Sequence, residues 1–372
     1  MQFCALSTVK QRITLGVPLP FNVRDSDRTL LLARGQVITT MSQLNELLER
    51  GALVDTDELR RTGSTDILEA PAETLPALWG KCADRLTLVL RNPSQADFIA
   101  SLEEASKPVL SLIERDPDLA IFQVVRQDAS GMRYGVTHSL HAAIACHLAA
   151  QRLGWDREQI TLLQRAALTM NLSMLELQGR LATQATPPTP AQRAVIQNHP
   201  LRSVEILQTA GVTDRDWLEA VAHHHEDSNG AGYPQKVSEV GDLAALLHRA
   251  DVFTAKLSPR ATRNALAANQ AARQMFLQDQ RHPMTAAFVK EFGIYPPGCC
   301  VKLASGEIGL VVKRGETANT PIVAALVNRN SEQMMEPLRR NTGVAEHAIV
   351  EVVSEKWLRV RISPERLVTL GA

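Results

Sequence analysis

The chain has 372 residues, 45% of them hydrophobic, with 40 Lys+Arg against 40 Asp+Glu. That length allows roughly two or three domains at about 150 residues each, and the balanced charge makes no electrostatic case for DNA, RNA or a membrane surface as the main partner. No apolar run approaches the roughly 20 residues of a spanning helix, and the start, MQFCALSTVKQRITLG, lacks a cationic segment followed by an apolar one, which argues against a secretory signal.

In chain order, residues 1–55 are expected to form a small β-rich module. ITLGVPLPFNVRDSDRTLLLARGQVI holds two extended apolar stretches around Asp25-Ser26-Asp27, a turn composition. A helix follows, with Thr40 as N-cap, Gln43 three residues later and Gly51 as its stop. Residues 56–72 are polar and irregular and read as a linker. From 73 to 295 the periodicity is helical. Asp156 with Gln159 marks one helix start, Thr189-Pro190 places proline at the first position of another, and Thr213 is expected to cap a third. After Tyr295-Pro296-Pro297-Gly298 the pattern changes again. CCVKLASGEIGLVVKRG reads as two strands around a Ser-Gly turn, and PIVAALV, AIVEVV and WLRVRI add strand candidates, so 296–372 is a second β-rich module. Five cysteines (Cys4, Cys82, Cys146, Cys299, Cys300) at irregular spacing suggest neither a disulfide framework nor a cysteine zinc site. A reduced, cytoplasmic protein is the expectation.

Most of the ten histidines lie in the helical region. Around 136–153, Val136, Leu140, Ile144 and Leu148 mark one face, and Ala142, Ala145 and Ala149 the other. A helix apolar on both sides is buried. His138 lies among the alanines, where another helix or a metal can approach. The plain alternative is a core histidine bonded to a carbonyl. His141 and His147 read as structural. His199 precedes Pro200 at an expected helix boundary. Asp251 sits in an otherwise apolar helix and needs a cation, a donor or a metal, with an arginine ion pair as the plain alternative. HHHEDSNGAGYP, residues 223 to 234, closes a helix. Successive helical side chains diverge by about 100 degrees, so three imidazoles cannot all face one ion from a regular helix, but two can where it loosens. Gly230 and Gly232 permit φ > 0, so the chain can turn back over the helix end. Imidazole and carboxylate from separate helices suit zinc, iron or manganese, and a pair of such ions activates water on a phosphodiester.

These residues resemble the HD-GYP family of cyclic di-GMP phosphodiesterases, a branch of the all-helical HD superfamily. The family loop HHExxDGxGYP is matched from His224 to Pro234, with Asn229 in place of aspartate as the one departure. THSLHAAIACHLAAQRLG is similar to the segment carrying the first histidine ligand, here His138. IQNHPLRSVEIL is similar to the His-Pro segment, giving His199. RADVFTAKLSPRATR is similar to the segment with the last aspartate, giving Asp251, and its Arg260 and Arg263 match positions near the phosphate-binding region. The likeness covers roughly 130–270. It implies an all-helical HD domain flanked by small β-rich N- and C-terminal modules, cyclic di-GMP as ligand, and a loop (Asn229, Gly230, Gly232, Tyr233, Pro234) that docks diguanylate cyclase (GGDEF) domains.

At the His-Asp pair that names the family, typically LLHDIGK, this chain reads LTMNLSM. Met170 and Asn171 stand for histidine and aspartate, and Met174 for lysine. In the family that aspartate bridges two metals and the lysine helps hold phosphate. A neutral amide is a weak bridge, and a thioether is a poor ligand for hard ions. No catalytic residue is therefore assigned, and a di-metal centre is not expected. His199, His224 and His225 suffice for one zinc, iron or manganese ion, with His138 and Asp251 left over from the other position. Three functions stay open: an impaired HD-GYP-like module binding nucleotide or partner, an active phosphodiesterase with an altered metal set, and a helical protein whose histidines are relics.

Overall fold

A computed structural model describes residues 3–13, 15–56, 67–126, 133–262, 265–279, 282–358 and 363–371. The predicted linker at 56–72 lies largely outside them. The chain forms two compact units, Met1–Ala70 and Pro71–Ala372.

In the first unit, β1 (Phe3–Ala5), β2 (Val23–Arg24), β3 (Leu30–Leu32) and β4 (Leu53–Asp55) make an antiparallel sheet in the order β1-β4-β2-β3. Helix α1 (Met41–Glu49) begins at Thr40, whose hydroxyl and the Gln43 side chain form a reciprocal capping box. Leu6, Phe21, Val23, Ile38, Leu44 and Val54 form the core.

The second unit begins with α2 (Leu75–Leu90), α3 (Phe98–Arg115) and α4 (Pro117–Val125). Helix α5 (Tyr134–Leu153) is buried on nearly every side, as its two apolar faces require, and packs against α6 (Arg157–Thr169). The 3-10 turn Leu172–Met174, α7 (Leu175–Thr183), α8 (Pro190–Thr209), α9 (Arg215–His223) and α10 (Asp242–Leu257) complete the part that carries the site. Capping boxes at Asp156 and Thr189 start α6 and α8 as predicted. The third cap is one residue later than expected. Asp214, not Thr213, caps α9, because its carboxylate accepts from both Asp216 and Trp217 N–H groups. Helices α11 (Ala268–Gln278) and α12 (Pro283–Phe292) close the bundle.

Five antiparallel strands follow: β5 (Cys300–Leu303), β6 (Ile308–Lys313), β7 (Ile322–Val327), β8 (Gln333–Asn341) and β9 (Ile349–Val352), in the order β8-β7-β6-β5-β9. One sheet face packs Leu310, Val312, Ile322 and Ala324 against Leu367 of the terminal helix α13 (Pro364–Gly371) and Phe122 of α4. An ionic chain runs from Arg152 to Glu291, then through Arg314 to Asp118, and joins the bundle to the sheet. The predicted strand WLRVRI is corrected at its start, where Trp357 ends a 3-10 turn, and its residues 359–362 lie outside the described set. The long strand β8 was not expected, because Pro337 and five charged or amide-bearing neighbours hide it. It lies at a sheet edge, where a missing N–H costs no ladder bond. Among the described residues no helix is long and apolar enough to cross a membrane.

Candidate metal centre

Helix α8 supplies His199 through an irregularity. The residue was expected at a helix boundary, yet α8 continues through Pro200. Proline has no N–H to offer the carbonyl four residues back. That carbonyl, Ile196 O, instead accepts from His199 Nδ1 at 2.6 Å. The substitution of donors fixes the imidazole and turns Nε2 the other way. His224 is held by the same logic at the end of α9, where the last carbonyls lack helical donors. Its Nδ1 donates to Val221 O at 2.7 Å. His248 of α10 donates through Nδ1 to His224 O at 2.8 Å, bracing the same turn. Trp217 anchors α9 to α6 by donating to Thr169 Oγ1 at 2.9 Å.

Helix α9 stops at His223, so His224 and His225 leave the regular helix and can face one point. The ligand atoms of His199, His224 and His225 all lie within 4.8 Å of one another. His223 is not in that cluster; its Nδ1 is 3.9 Å from Glu219.

Proton placement tests whether the three suit a cation. Carbonyl oxygens only accept, so Nδ1 of His199 and of His224 each carries a proton. Burial lowers the pKa of His199 to about 4 and that of His224 well below its ordinary value, so both rings are neutral near pH 7. A neutral imidazole has one N–H, which leaves both Nε2 atoms as bare lone pairs. They face each other at 3.0 Å. No hydrogen bond joins two acceptors, but one ion with bonds of about 2.1 Å reaches both. Burial likewise lowers His225 to about 3. The donor set is neutral, largely buried and converging, which fits a divalent metal.

His138 and Asp251 are brought together as a pair. His138 Nε2 is 2.6 Å from Asp251 Oδ1, and Asp251 Oδ2 lies 4.0 Å from His225 Nε2. Neither plain alternative holds: His138 bonds a carboxylate rather than a carbonyl, and the side chain bonded to Asp251 is a histidine rather than an arginine. Burial alone raises an aspartate, but the hydrogen bond and charge of His138 prevail and hold Asp251 well below the carboxylate range.

Met170 and Asn171 are fully buried after α6, and Met174 is nearly so. Ser173 ties this segment to the His199 turn, its hydroxyl donating to His199 O at 2.9 Å and its N–H donating to Ser203 Oγ at 3.2 Å. Asn171 is 1% exposed, with no hydrogen-bond partner for its amide oxygen or nitrogen among the described residues.

The glycine loop folds back over His225. Tyr233 N–H donates to His225 O at 3.1 Å, and its ring stacks on the imidazole with centroids 4.5 Å apart. Asn229 Oδ1 accepts from Ala231 N–H at 2.7 Å, a turn bond that the family aspartate would also make. Gly230 has φ of 72°, as expected. Gly232 is needed for another reason than the one predicted: it is absent from the positive-φ residues, and a Cβ there would stand 2.4 Å from Glu226 Cα and 2.6 Å from His225 O. The sequence reading gave Glu226 no role. It is 2% exposed, and its Oε1 accepts from Gln235 N–H at 2.6 Å and Lys236 N–H at 3.1 Å, pinning the loop exit to the helix end. Its place directly after the histidine pair was the available signal. Glu226→Ala leaves both N–H groups without that acceptor, at about 1–3 kcal/mol. Limited proteolysis is expected to cut the 227–236 loop faster in that variant; an unchanged cleavage rate would refute the pinning.

Arg260 is exposed, with its Nη2 3.4 Å from Tyr134 Oη and its guanidinium 5.9 Å from the Tyr134 ring centroid. Tyr134 in turn lies parallel to His138, with centroids 6.0 Å apart. Arg263 lies outside the described residues.

The HD domain family model matches residues 124–282, the span containing all of these histidines and Asp251. This segment is an HD domain. Over 236 residues the chain is 25% identical to the cyclic di-GMP phosphodiesterase PA4108 of Pseudomonas aeruginosa, covering 62% of this chain and 56% of that protein. The chain thus spans little more than half the length of that relative. Among solved structures, Bd1817, an HDG"Y"P protein from Bdellovibrio bacteriovorus, aligns with a TM-score of 0.49 and 18% identity, over 78% of this chain and 98% of that one. The HD domain is helical, as the resemblance implied, and small antiparallel sheets lie on its N- and C-terminal sides in the chain, where the strand patterns placed them.

Proposed function

We propose that this chain is an HD-GYP-like module of bacterial cyclic di-GMP signalling, impaired in hydrolysis and acting by binding nucleotide or a partner. The observation that carries the reading is the contrast within the HD domain. Three neutral histidines converge on one point, whereas a buried amide, Asn171, stands where the family has a carboxylate. One divalent ion, zinc, iron or manganese, is held by His199, His224 and His225 and supplies Lewis acidity when bound. Without the bridging carboxylate, a second ion has no adequate anchor. Arg260 and Arg263 contact phosphate. The loop from Asn229 to Pro234 takes a diguanylate cyclase domain.

A second reading has its own support. The three-histidine cluster is complete and Asp251 lies beside it, so an active phosphodiesterase with an altered metal set is the alternative. Hydrolysis of cyclic di-GMP with added manganese or iron decides between them. The expected result is no turnover above that of His224→Ala. Turnover in the native chain that His224→Ala abolishes establishes the alternative. Titration with the nucleotide and with a cyclase domain then tests binding, and failure of both would make the histidines relics.

A further inference from the structure

We infer that His138 and Asp251 form a closed hydrogen-bonded pair that takes the place of a second ion, rather than a pair of metal ligands. The inference rests on the one-ion reading above. Distance is the first argument. The two atoms are 2.6 Å apart, as short as or shorter than a charge-assisted N–H···O hydrogen bond of about 2.7–2.9 Å. Two ligand atoms on one ion, with bonds of about 2.1 Å, sit about 3 Å or more apart.

The second argument is the wiring of the imidazoles. A metal-ligating histidine normally donates its other ring N–H to a carbonyl, carboxylate or water, which leaves the ligating nitrogen bare. His199 and His224 follow that pattern through Ile196 O and Val221 O. His138 does not: its buried Nδ1 has no hydrogen-bond partner among the described residues. An ionised carboxylate only accepts, so the proton between His138 and Asp251 lies on Nε2. His138 is wired as a donor, whereas the other two are wired as ligands.

The third argument is electrostatic. Asp251 lies in the interior, where an unpaired carboxylate is costly. In a di-metal site the ions would offset that charge. Here the His138 N–H, 2.6 Å from Oδ1, faces that charge instead.

The test uses the full chain purified without an affinity tag. Zinc content is measured at saturation, and thermal melting is measured after chelation. The native chain is expected to hold one ion. Asp251→Ala and His138→Ala are each expected to keep one ion while their ion-free forms melt several degrees lower. The double variant should melt no lower than the worse single variant, because the second removal breaks nothing more. Asp251→Asn serves if the alanine variant does not fold, with the same single ion and a smaller fall in melting. A single variant that loses its ion while ion-free melting is unchanged makes these residues ligands and overturns the pair alone. Two ions in the native chain overturn the one-ion reading and the pair together.

Discussion

Replacing Met170→His, Asn171→Asp and Met174→Lys together is expected to raise cyclic di-GMP hydrolysis by at least about a hundredfold, or roughly 2.7 kcal/mol of barrier. On the proposed reading, the substitutions supply the residue types that the HD-GYP resemblance implies at these positions. The carboxylate matters most: it bridges ions where an amide cannot, and two ions stabilise attacking and leaving oxygens together. A second readout is independent of turnover. Asn171 is buried with no hydrogen-bond partner for its amide among the described residues, so Asn171→Asp places a carboxylate where none of them donates a hydrogen bond to it. The ion-free variant should lose about 1–3 kcal/mol, and added metal should recover that loss through linkage. Unchanged hydrolysis together with unchanged metal dependence of melting would show that this segment does not face the ion site.

Gly232→Ala is the second large effect. Its Cβ would meet Glu226 Cα at 2.4 Å, Asp227 N at 2.5 Å and His225 O at 2.6 Å. All three are backbone atoms, so no side-chain rotation relieves the contact. The loop must lift, at about 1–3 kcal/mol. The Tyr233–His225 bond and ring stack then go with it. His225 loses the group that orients it, and such losses cost about 10–100-fold in metal affinity. Gly230→Ala is the control. Its nearest other atom is 3.7 Å away, so only the left-handed backbone is penalised, at about 1–2 kcal/mol. Zinc titration and melting of both variants check the contrast. Equal metal affinity in the two would rule out the loop as a support for His225.

The features legible in the sequence are mostly those whose cause is local. Thr40, Asp156 and Thr189 reach N–H groups three residues away, so cap and partner sit in the same short stretch. The buried helix α5 shows in its two apolar faces, and the β5–β6 hairpin in its Ser-Gly turn. The histidine-rich loop carried the HD-GYP resemblance because its spacing is long and specific, and the HD domain match at 124–282 contains it. Strand β8 was not legible, since a sheet edge tolerates the proline and charges that mask it.

By itself, the sequence determined which chemistry is available: imidazoles in separate helical segments, an amide at position 171, and a glycine-rich turn after the histidine pair. Tertiary structure alone decided what each group does. His199 faces the cluster because Pro200 frees the Ile196 carbonyl for its Nδ1. Glu226 holds a loop exit nine and ten residues away. Asp251 accepts a hydrogen bond from His138, 113 positions earlier in the chain. The physical reason is one of range. Residue type sets which protons and lone pairs a side chain can offer, but donors and acceptors far apart in sequence are matched only when the helices pack.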